Sequence, residues 1–403
     1  MIIWTPARNA ENTLRRAIDS VLGQTYTNFE YIIIDNASTD RTGDIISEYA
    51  SKDSRVRSWS NERNIFGTEL FSDVTAKIIN TECDFVAELD ADDEYLPDFL
   101  EKSLRFSERE NLDIVVCGNA FVDAQTGNVN GVRALSRELI VERGGFSEYF
   151  SLYHQFVRTA WAKIFRLSVL RKCDFSRTEA VTYGADTVFS MEAFRNASRV
   201  GILAEALHNY YISPKSVSYK LDAKRIASDR ILHEASRSFL ISKTGAVTPR
   251  NEEFLLLVYM NAIKDTLNVL LNAEIHEHEK IAGVIDIFSH ECTKQLAAPE
   301  KLGARIGDAS GLTKQRRELF TAAAEWLLTR EEVPDEQLEA FCAAGEFVCA
   351  ACENAEGWIF FKKLLARFLL GAGRADEARP KLDELAELLP GDPDVTGLRE
   401  MPP

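Results

Sequence analysis

The sequence lacks the features that would assign it to several common classes of protein. Its net charge of −16 leaves no basic excess for binding along a nucleic acid, so we expect no nucleic-acid partner. Its seven cysteines are scattered and odd in number, which argues against a disulfide framework and favours reduced thiols in a cytoplasmic protein. The first residues contain no apolar stretch typical of a signal peptide, so we expect none.

Long apolar runs and glycine-rich phosphate loops are also missing. The most hydrophobic stretch, residues 254–260, is interrupted at Asn261 and Lys264, well short of the roughly 20 residues that span a membrane, so we predict a buried helix. Neither the glycine pattern of dinucleotide sites nor that of triphosphate sites is present. If the chain binds a phosphate, we therefore expect a metal ion to hold it rather than a glycine loop.

What the sequence does contain is a dense group of carboxylates at the end of a predicted strand. The apolar run 85–89 stops at Asp90, Asp92 and Asp93, and a helical pattern begins near Pro97. Carboxylates this close repel one another, and a divalent cation that prefers hard oxygen ligands, Mn²⁺ or Mg²⁺, removes the repulsion. A solvated acidic turn is the alternative, because aspartate favours turns in any protein.

The first half of the chain alternates between two kinds of pattern. Apolar, β-prone runs predict strands at residues 2–5, 29–34, 56–59, 85–89 and 113–117. Helical spacing predicts helices at residues 12–22, around 45–49, at 68–80 and at 100–109. This alternation indicates a parallel α/β sheet, which binds ligands at the carboxyl ends of its strands. Segments 6–9, 35–36 and 90–93 each follow a strand, so we expect them to meet on one rim.

These stretches together resemble the family 2 glycosyltransferases with the GT-A fold. The resemblance rests on residues 5–25, on residues 29–40, on the Leu89–Asp93 segment and on residues 161–166 followed by 184–189. It implies a Rossmann-like, mostly parallel sheet with flanking helices over residues 1–221, followed by an all-α region over residues 222–403. It also favours a ligand site over an ordinary acidic turn.

The resemblance implies roles for individual residues on the nucleotide side. Pro6, Ala7 and Glu11 match the loop that lies against the nucleotide. Asp35 matches the residue that holds the uracil or ribose side, and Asp90 matches the first aspartate of the Asp-x-Asp motif, near the ribose.

The metal and the base follow from the same resemblance. Asp92 matches the aspartate that binds the metal and, through it, the diphosphate, while Asp93 is left open. Asp186 matches the general base, which an inverting transfer needs to take the proton of the acceptor hydroxyl. A helix N-cap is the alternative for Asp186, because a helical run follows it at residues 189–194.

The implied function is a metal-dependent, inverting transfer of sugar from a nucleotide-diphosphate sugar, a UDP-sugar, to a glycan or lipid-linked acceptor. We expect the protein in the cytoplasm or peripherally at the inner face of the membrane. A degenerate domain that serves as a scaffold through its C-terminal helices is the alternative. A nucleotidyltransferase that makes sugar nucleotides is weaker, because residues 6–9 contain no glycine.

The sequence also departs from the family pattern. Ala185 replaces the glutamate before the base, Asn36 and Ala37 replace an aspartate and a glycine, and the expected arginine and glycine near residues 73–77 are absent. Lys77 could replace part of the missing charge. These changes leave the donor sugar and the acceptor open.

The family's closing segment also differs here. Tyr211 stands in place of an arginine, followed by Ser216 and Ser218. His208 could bind a metal or phosphate, but we favour a packed, hydrogen-bonded histidine.

The remaining half of the chain is helical in pattern. Helices are predicted at residues 226–241, 252–273 and 276–295, with a weaker pair at 320–353 and a tetratricopeptide-like pair at 358–390. We interpret the histidines at 276 and 278 as a solvated helix start, and Cys349 and Cys352 as core residues rather than metal ligands. The helix pairs could hold a protein partner, support self-association or simply cap the catalytic domain.

Overall fold

The computed structural model describes residues 1–65, 67–175, 181, 183–213, 221–222, 224–297 and 312–401. The chain forms two compact units, Met1–Asn251 and Glu252–Pro403. The described part of the first is an α/β unit, and that of the second is helical. The predicted closing serines, Ser216 and Ser218, lie outside the described residues.

One sheet contains the ten strands of the described residues. They are β1 (Ile2–Ala7), β2 (Glu30–Asp35), β3 (Val56–Ser60), β4 (Phe85–Glu88), β5 (Glu94–Tyr95), β6 (Ile114–Asp123), β7 (Val129–Arg133), β8 (Leu139–Glu142), β9 (Lys163–Arg166) and β10 (Arg199–Ile212).

The strands that lead to the predicted site run parallel. The order is β3-β2-β1-β4-β9-β6-β10-β5, with β7 beside β6 and β8 beside β10. β1 pairs in parallel with β2 and β4, and β2 pairs in parallel with β3, so these strands end at one edge. β9 is inserted antiparallel between β4 and β6, and β6 runs parallel to β10.

Nine helices of the described residues belong to the first unit. They are α1 (Leu14–Leu22), α2 (Thr42–Lys52), α3 (Thr68–Ile78), α4 (Phe99–Glu110), α5 (Gly145–Glu148), α6 (Phe150–Val157), α7 (Leu167–Leu170), α8 (Ala185–Asn196) and α9 (Arg225–Thr244). In α1 the buried residues follow helical spacing, with Leu14, Ala17, Ile18 and Val21 joining the same core as Ile3 and Ile33 of the sheet. This packing fixes the loop before α1 against the sheet edge.

The predicted fold class is confirmed, as a mixed sheet whose β3-β2-β1-β4 half is parallel. The strands and helices predicted up to residue 117 are all present, with ends that differ by a few residues. The sequence did not predict β5, β7, β8, β9 or β10. Four of these, β5, β7, β8 and β9, run antiparallel to their neighbours, so the strand–helix alternation that signals a parallel sheet does not report them.

The described part of the second unit contains helices only. They are α10 (Pro249–Leu271), which begins just before the unit does, α11 (Glu277–Ser289), α12 (Glu291–Leu296), α13 (Leu312–Leu328), α14 (Asp335–Ala351), α15 (Ala355–Gly371), α16 (Ala375–Leu388) and α17 (Pro393–Arg399). The predicted helix pairs at 320–353 and 358–390 are present as α13–α14 and α15–α16. The single helix predicted at 276–295 is instead two, α11 and α12.

Two ambiguous motifs in this unit have structural roles. His276 is the N-cap of α11 and forms a capping box with Glu279, as expected of an exposed helix start. Cys349 is buried and Cys352 is half-buried, and both are free thiols. The helix-start interpretation is confirmed, and Cys349 lies in the core as predicted.

One helix among the described residues, α10, is long and apolar enough to cross a membrane by length and composition, and 44% of its apolar window is buried. Leu255, Leu256 and Tyr259 are among its buried side chains, as expected of a core helix.

The first compact unit extends beyond the predicted boundary between residues 221 and 222. It continues to Asn251 and so includes α9. A boundary at 221 would separate α9 from the sheet-bearing unit with which it packs.

Candidate functional site

The predicted rim is formed by the ends of three neighbouring strands. Ala7 at the end of β1 lies opposite Asp35 at the end of β2. Just past β4, the backbone N–H of Leu89 donates to the carbonyl of Trp4, which places Asp90 beside the end of β1. The structure therefore brings Pro6, Ala7, Asp35 and Asp90 together, as the parallel pattern predicted.

The loops after β1 and β2 are joined by hydrogen bonds along their length. We call residues 8–11 and 36–42 the paired loops. The bonds run from Arg8 Nη1 to the carbonyls of Asn36 and Ala37 (both 3.0 Å), Asn9 N to Ser38 Oγ (3.1 Å), Thr39 N to Asn9 Oδ1 (2.8 Å), Ala10 N to Thr42 Oγ1 (2.8 Å), Glu11 N to Asp40 Oδ2 (3.1 Å) and Arg41 N to Glu11 Oε2 (3.2 Å). Glu11 is thus an exposed residue that holds the second loop, and its contact with a nucleotide stays a prediction.

Asn36 explains one departure from the family pattern. Its Nδ2 donates to Asn64 Oδ1 at 3.0 Å and to the Ile65 carbonyl at 2.5 Å. Its Oδ1 accepts from Asn61 Nδ2 and from the Ile65 backbone N–H, both at 3.0 Å. An aspartate could not make the two donations, so the amide ties residues 61–65 to the paired loops.

The next residue carries backbone strain. Ala37 has φ +57°, in the left-handed region that favours glycine, and occupies the position where the family pattern has glycine. Asp35 supports this turn, because its Oδ1 accepts from the Ser38 N–H at 3.0 Å.

The acidic cluster, Asp90, Asp92 and Asp93, forms as predicted. One carboxylate oxygen from each lies within 4.8 Å of the others. Asp93 is 1% exposed, Asp90 is half-buried and Asp92 reaches solvent. Burial and the charges of Asp93, Asp186 and Asp92 raise the pKa of Asp90 well above its usual range, and burial followed by the charge of Asp92 does the same for the pKa of Asp93.

Asp93 also ties the cluster to β10. Its Oδ1 accepts from the backbone N–H of Tyr211 at 2.9 Å, and its Oδ2 lies 3.4 Å from Nε2 of His208. His208 is fully buried and stacks on Trp161 with 4.5 Å between ring centroids. The packed interpretation of His208 is thus supported. Neither ring nitrogen has a hydrogen-bond partner in the described part of the chain, so the expected hydrogen bonding is not found there.

Arg16 is a site residue that the sequence did not reveal. Its guanidinium lies 3.5 Å from the ring centroid of Tyr211, and its Nη2 donates to the backbone carbonyl of Asp92. It therefore places a positive charge beside the acidic cluster, where Tyr211 replaces the family's arginine. The signal in the sequence, a pair of arginines in the first turn of an amphipathic helix, is too common to have identified it.

Asp186 lies on α8 near the acidic cluster. Its charge raises the pKa of both Asp90 and Glu88, and burial raises its own pKa against the effect of Lys163 and the Ala160 N–H. The N-cap of α8 is Gly184, and among the described residues no side chain caps this helix, so the capping alternative for Asp186 was wrong. Ala185, where the family has glutamate, is 5% exposed.

Gly184 is required where it stands. Its φ is +81°, and a Cβ atom there would lie 2.5 Å from Cδ1 of Leu232 on α9. The close approach of the two helices sets the position of the first turn of α8, which carries Asp186.

Two buried charged residues complete the site, and neither was predicted. Glu88, at the end of β4, is 4% exposed and its Oε2 has no hydrogen-bond partner. Lys163, at the start of the adjacent β9, is fully buried and donates to Thr159 O, Thr159 Oγ1 and Trp161 O at 2.6, 2.8 and 3.1 Å. Burial lowers the pKa of Lys163 to about 7 and, with the charges of Asp90 and Asp186, raises that of Glu88.

Lys77 does not act as the free replacement charge that the sequence suggested. Its Nζ lies 2.6 Å from Asp73 Oδ2 and 5.3 Å from the ring centroid of Trp59. The ion pair within α3 neutralises it.

Comparison with known proteins finds relatives of this chain. Residues 2–172 match the family Glycosyl transferase family 2. The glycosyltransferase EpsJ of Bacillus subtilis is 24% identical over 54% of this chain and 62% of its own length. EpsH, a glycosyltransferase of the same organism, is 27% identical over 72% of this chain and 85% of its own.

A third relative is the poly(ribitol-phosphate) β-N-acetylglucosaminyltransferase TarS of Staphylococcus aureus. It is 23% identical over 66% of this chain and 49% of its own length, so the match spans about half of that protein. The crystal structure of TarS residues 1–349 with UDP-GlcNAc superimposes with a TM-score of 0.45 at 16% identity, over 92% of this chain and 91% of that one.

Proposed function

We propose that this chain, whose N-terminal unit belongs to the family 2 glycosyltransferases, moves a sugar from a nucleotide-diphosphate sugar to a glycan or lipid-linked acceptor with inversion. The donor we propose is a UDP-sugar and the product a surface polysaccharide or a related glycan. The observation that carries the proposal is the meeting of the acidic cluster, Asp186 and the paired loops on one edge of the sheet.

The proposed nucleotide side is the rim beside the paired loops. Asp35 holds the uracil or ribose, with Pro6, Ala7 and Glu11 along the same loop and Asp90 near the ribose. Hydrogen bonds within the paired loops keep these groups in place before any ligand arrives, which lowers the entropy lost on binding.

The acidic cluster fits a divalent cation, Mn²⁺ or Mg²⁺, with Asp92 as the proposed ligand. Its donors are hard carboxylate oxygens, and Oδ2 of buried Asp93 has no hydrogen-bond partner to satisfy it. A bound cation would act as a Lewis acid on the departing diphosphate.

Asp186 is the proposed general base. Its carboxylate takes the proton of the acceptor hydroxyl as that oxygen forms a bond to the anomeric carbon of the donor sugar. The bond from the anomeric carbon to the diphosphate oxygen breaks at the same time, and the nucleoside diphosphate leaves with the bonding electrons. Partial burial and the backbone N–H of Ala160 hold Asp186 in position for this step.

Calorimetric titration of UDP with and without Mn²⁺ tests the proposal. We expect binding that depends on the metal and that Asp92→Asn abolishes. Asp84→Asn, an exposed carboxylate before the start of β4, is the matched control and should bind UDP normally. A chain that binds no nucleotide under any metal condition would instead be a degenerate scaffold.

The proposed location is the cytoplasm or the inner face of the membrane, where sugar nucleotides are available. The domain boundary we propose follows the compact units rather than residue 221.

A further inference from the structure

Beyond Asp186, the sheet continues through β6, β7 and β10, which the proposed mechanism does not use. We call these three strands the wall. β9 pairs with β6 only over Ile114–Val116, and the rest of β6 continues beside β10 past the start of β9. Three residues on neighbouring strands of this wall are in register, since Arg133 of β7 lies opposite Asn119 of β6, which lies opposite His208 of β10. The wall stands on the side of β9 away from the paired loops.

Two arginines meet on this wall. The Arg133 guanidinium lies 5.0 Å from the ring centroid of Phe121, and its Nη1 donates to the carbonyl of Gln155 on α6 at 3.3 Å. Arg158 follows α6, is exposed, and lies close enough for its charge to lower the pKa of Arg133, after burial itself. Arg158 is also held beside the helix of the proposed base, because Oγ1 of Thr187, the residue after Asp186, donates to the carbonyl of Arg158 at 2.9 Å.

Within the part of the chain that the structure describes, no carboxylate balances these two charges. Neither guanidinium forms an ion pair there, and only one N–H of Arg133 donates to a protein acceptor. Like charges held together repel, and a guanidinium has five N–H donors in a planar fork that suits phosphate or carboxylate oxygens. The arrangement therefore fits an anion from outside the chain.

A buried donor points to the same ligand. Asn119 is 1% exposed, and its Nδ2 has no hydrogen-bond partner among the described residues. An unmet donor at this depth is costly unless a ligand or water completes it. It stands between Arg133 and His208, directly on the wall.

Aromatic rings line the same wall. Tyr210 stacks on Trp161 at 5.3 Å and meets Phe121 edge to face at 6.0 Å between ring centroids. Phe121 is half-buried, so part of its ring reaches the surface beside Arg133, where it can contact the apolar face of a sugar or polyol.

We propose that this wall is the acceptor subsite and that Arg133 and Arg158 bind an anionic group of the acceptor, either a phosphodiester or a carboxylate. The inference rests on the proposed function and names the acceptor class for it. A negatively charged glycan or polyol polymer would lie along the aromatic rings, with a hydroxyl at Asp186 and its anionic group on the two arginines.

Calorimetry of the full chain with UDP and Mn²⁺ present tests the inference with three probes: a glycerol phosphate oligomer, a galacturonic acid oligosaccharide and neutral maltotetraose. At least one anionic probe should bind about tenfold more tightly than the neutral one, and Arg158→Ala should remove that advantage. Arg133→Ala should act in the same direction, and Arg133→Lys should retain part of the binding. Arg105→Ala, an exposed arginine of α4, is the charge-matched control and should leave all three affinities unchanged.

The outcomes separate the two proposals. The tighter of the two anionic probes identifies the group as phosphate or carboxylate. Normal UDP binding with equal affinity for all three probes, or an unaltered preference in Arg158→Ala, overturns the subsite and leaves the proposed function standing. Selective anion binding without UDP binding overturns the proposed function and keeps the anion site.

Discussion

The paired loops and the acidic wall use polar groups in opposite ways. We define the acidic wall as the polar residues on both sides of β9, namely Glu88, the acidic cluster, Asn119, Asp186 and His208. In the paired loops, the polar side chains of Asn9, Glu11 and Asn36 are engaged in hydrogen bonds. In the acidic wall, one polar atom each of Glu88, Asp93 and Asn119, and both ring nitrogens of His208, are buried without a hydrogen-bond partner.

The difference indicates in which part of the site the chain itself satisfies the buried polar groups. Buried polar groups without partners are rare because each lowers stability by about 1–3 kcal/mol. Their concentration in the acidic wall suggests a region completed by ligands, whereas the paired loops are complete in the free protein. Substitutions should therefore affect function in the acidic wall and stability in the loops.

The largest effect is expected in the acidic wall, from Asp186→Asn. Loss of a general base should lower the rate of sugar transfer by about 10²–10⁴-fold, while UDP affinity stays within about twofold. Rates with a radiolabelled or chromatographically followed donor, together with calorimetry, measure the two separately. Near-full activity in this variant would show that the base is another residue.

In the paired loops, Asn36→Asp should reduce stability rather than chemistry. It restores the family's residue but removes two donations and introduces a charge at a position that is 5% exposed, so we expect a loss of about 2–3 kcal/mol in the free energy of unfolding. Urea denaturation measures this loss. Asn28→Asp, the same change at an exposed site, should stay within about 0.5 kcal/mol, and equal losses would contradict the role given to Asn36.

A smaller effect, on the pH dependence of stability, is expected from a buried histidine outside the acidic wall. Burial, helped by the charge of Arg158, lowers the pKa of His154 on α6 to about 3. The unfolded chain therefore binds a proton near pH 6.5 that the folded chain does not, and stability is lost as the pH falls from about 6.5 towards 3.

Wild type and His154→Gln should thus differ by about 2 kcal/mol more at pH 7 than at pH 5, in favour of wild type at pH 7. Urea denaturation at both pH values tests this. Both proteins retain His208, so its contribution cancels from the difference between them. His278→Gln, an exposed histidine, should show no such change. A pH-independent difference would mean that His154 does not titrate in the unfolding transition.

The smallest effect should be a gain in the loops from Ala37→Gly. Relief of the left-handed backbone is worth about 1–2 kcal/mol, partly offset by the greater freedom of glycine when unfolded, about 0.5–1 kcal/mol. We expect a net gain of up to about 1 kcal/mol by thermal or urea unfolding. Ala50→Gly within α2 should instead lose about 1 kcal/mol, and a loss at both positions would rule out strain at Ala37.

The comparison also explains what the sequence could predict. The rim was predictable because Pro6, Asp35 and Asp90 each end an apolar strand, and parallel strands end on one edge. Asp186 could be matched to this rim only through the resemblance, because nothing local brings residue 186 back to residue 90.

The unpredicted residues share a physical reason. Glu88 is the one charged residue of β4, and Lys163 is one of two in β9. Only the antiparallel placement of β9 beside β4 makes them neighbours. Arg133 and Asn119 likewise become a pair through the β6–β7 hairpin. Cross-strand pairs of this kind depend on register, which short segments do not specify.

The contact of Gly184 with Leu232 has a consequence for where the protein may be shortened. α9 also contributes Lys243, whose Nζ donates to the carbonyl of Ala197 just after α8. A truncation at residue 221 would keep every carboxylate of the site and the whole sheet, yet remove the support behind the helix that carries Asp186. The smallest fragment that retains a correctly placed base must therefore extend through Thr244, and a shorter one would keep its ligand-binding aspartates without an ordered partner for the acceptor hydroxyl.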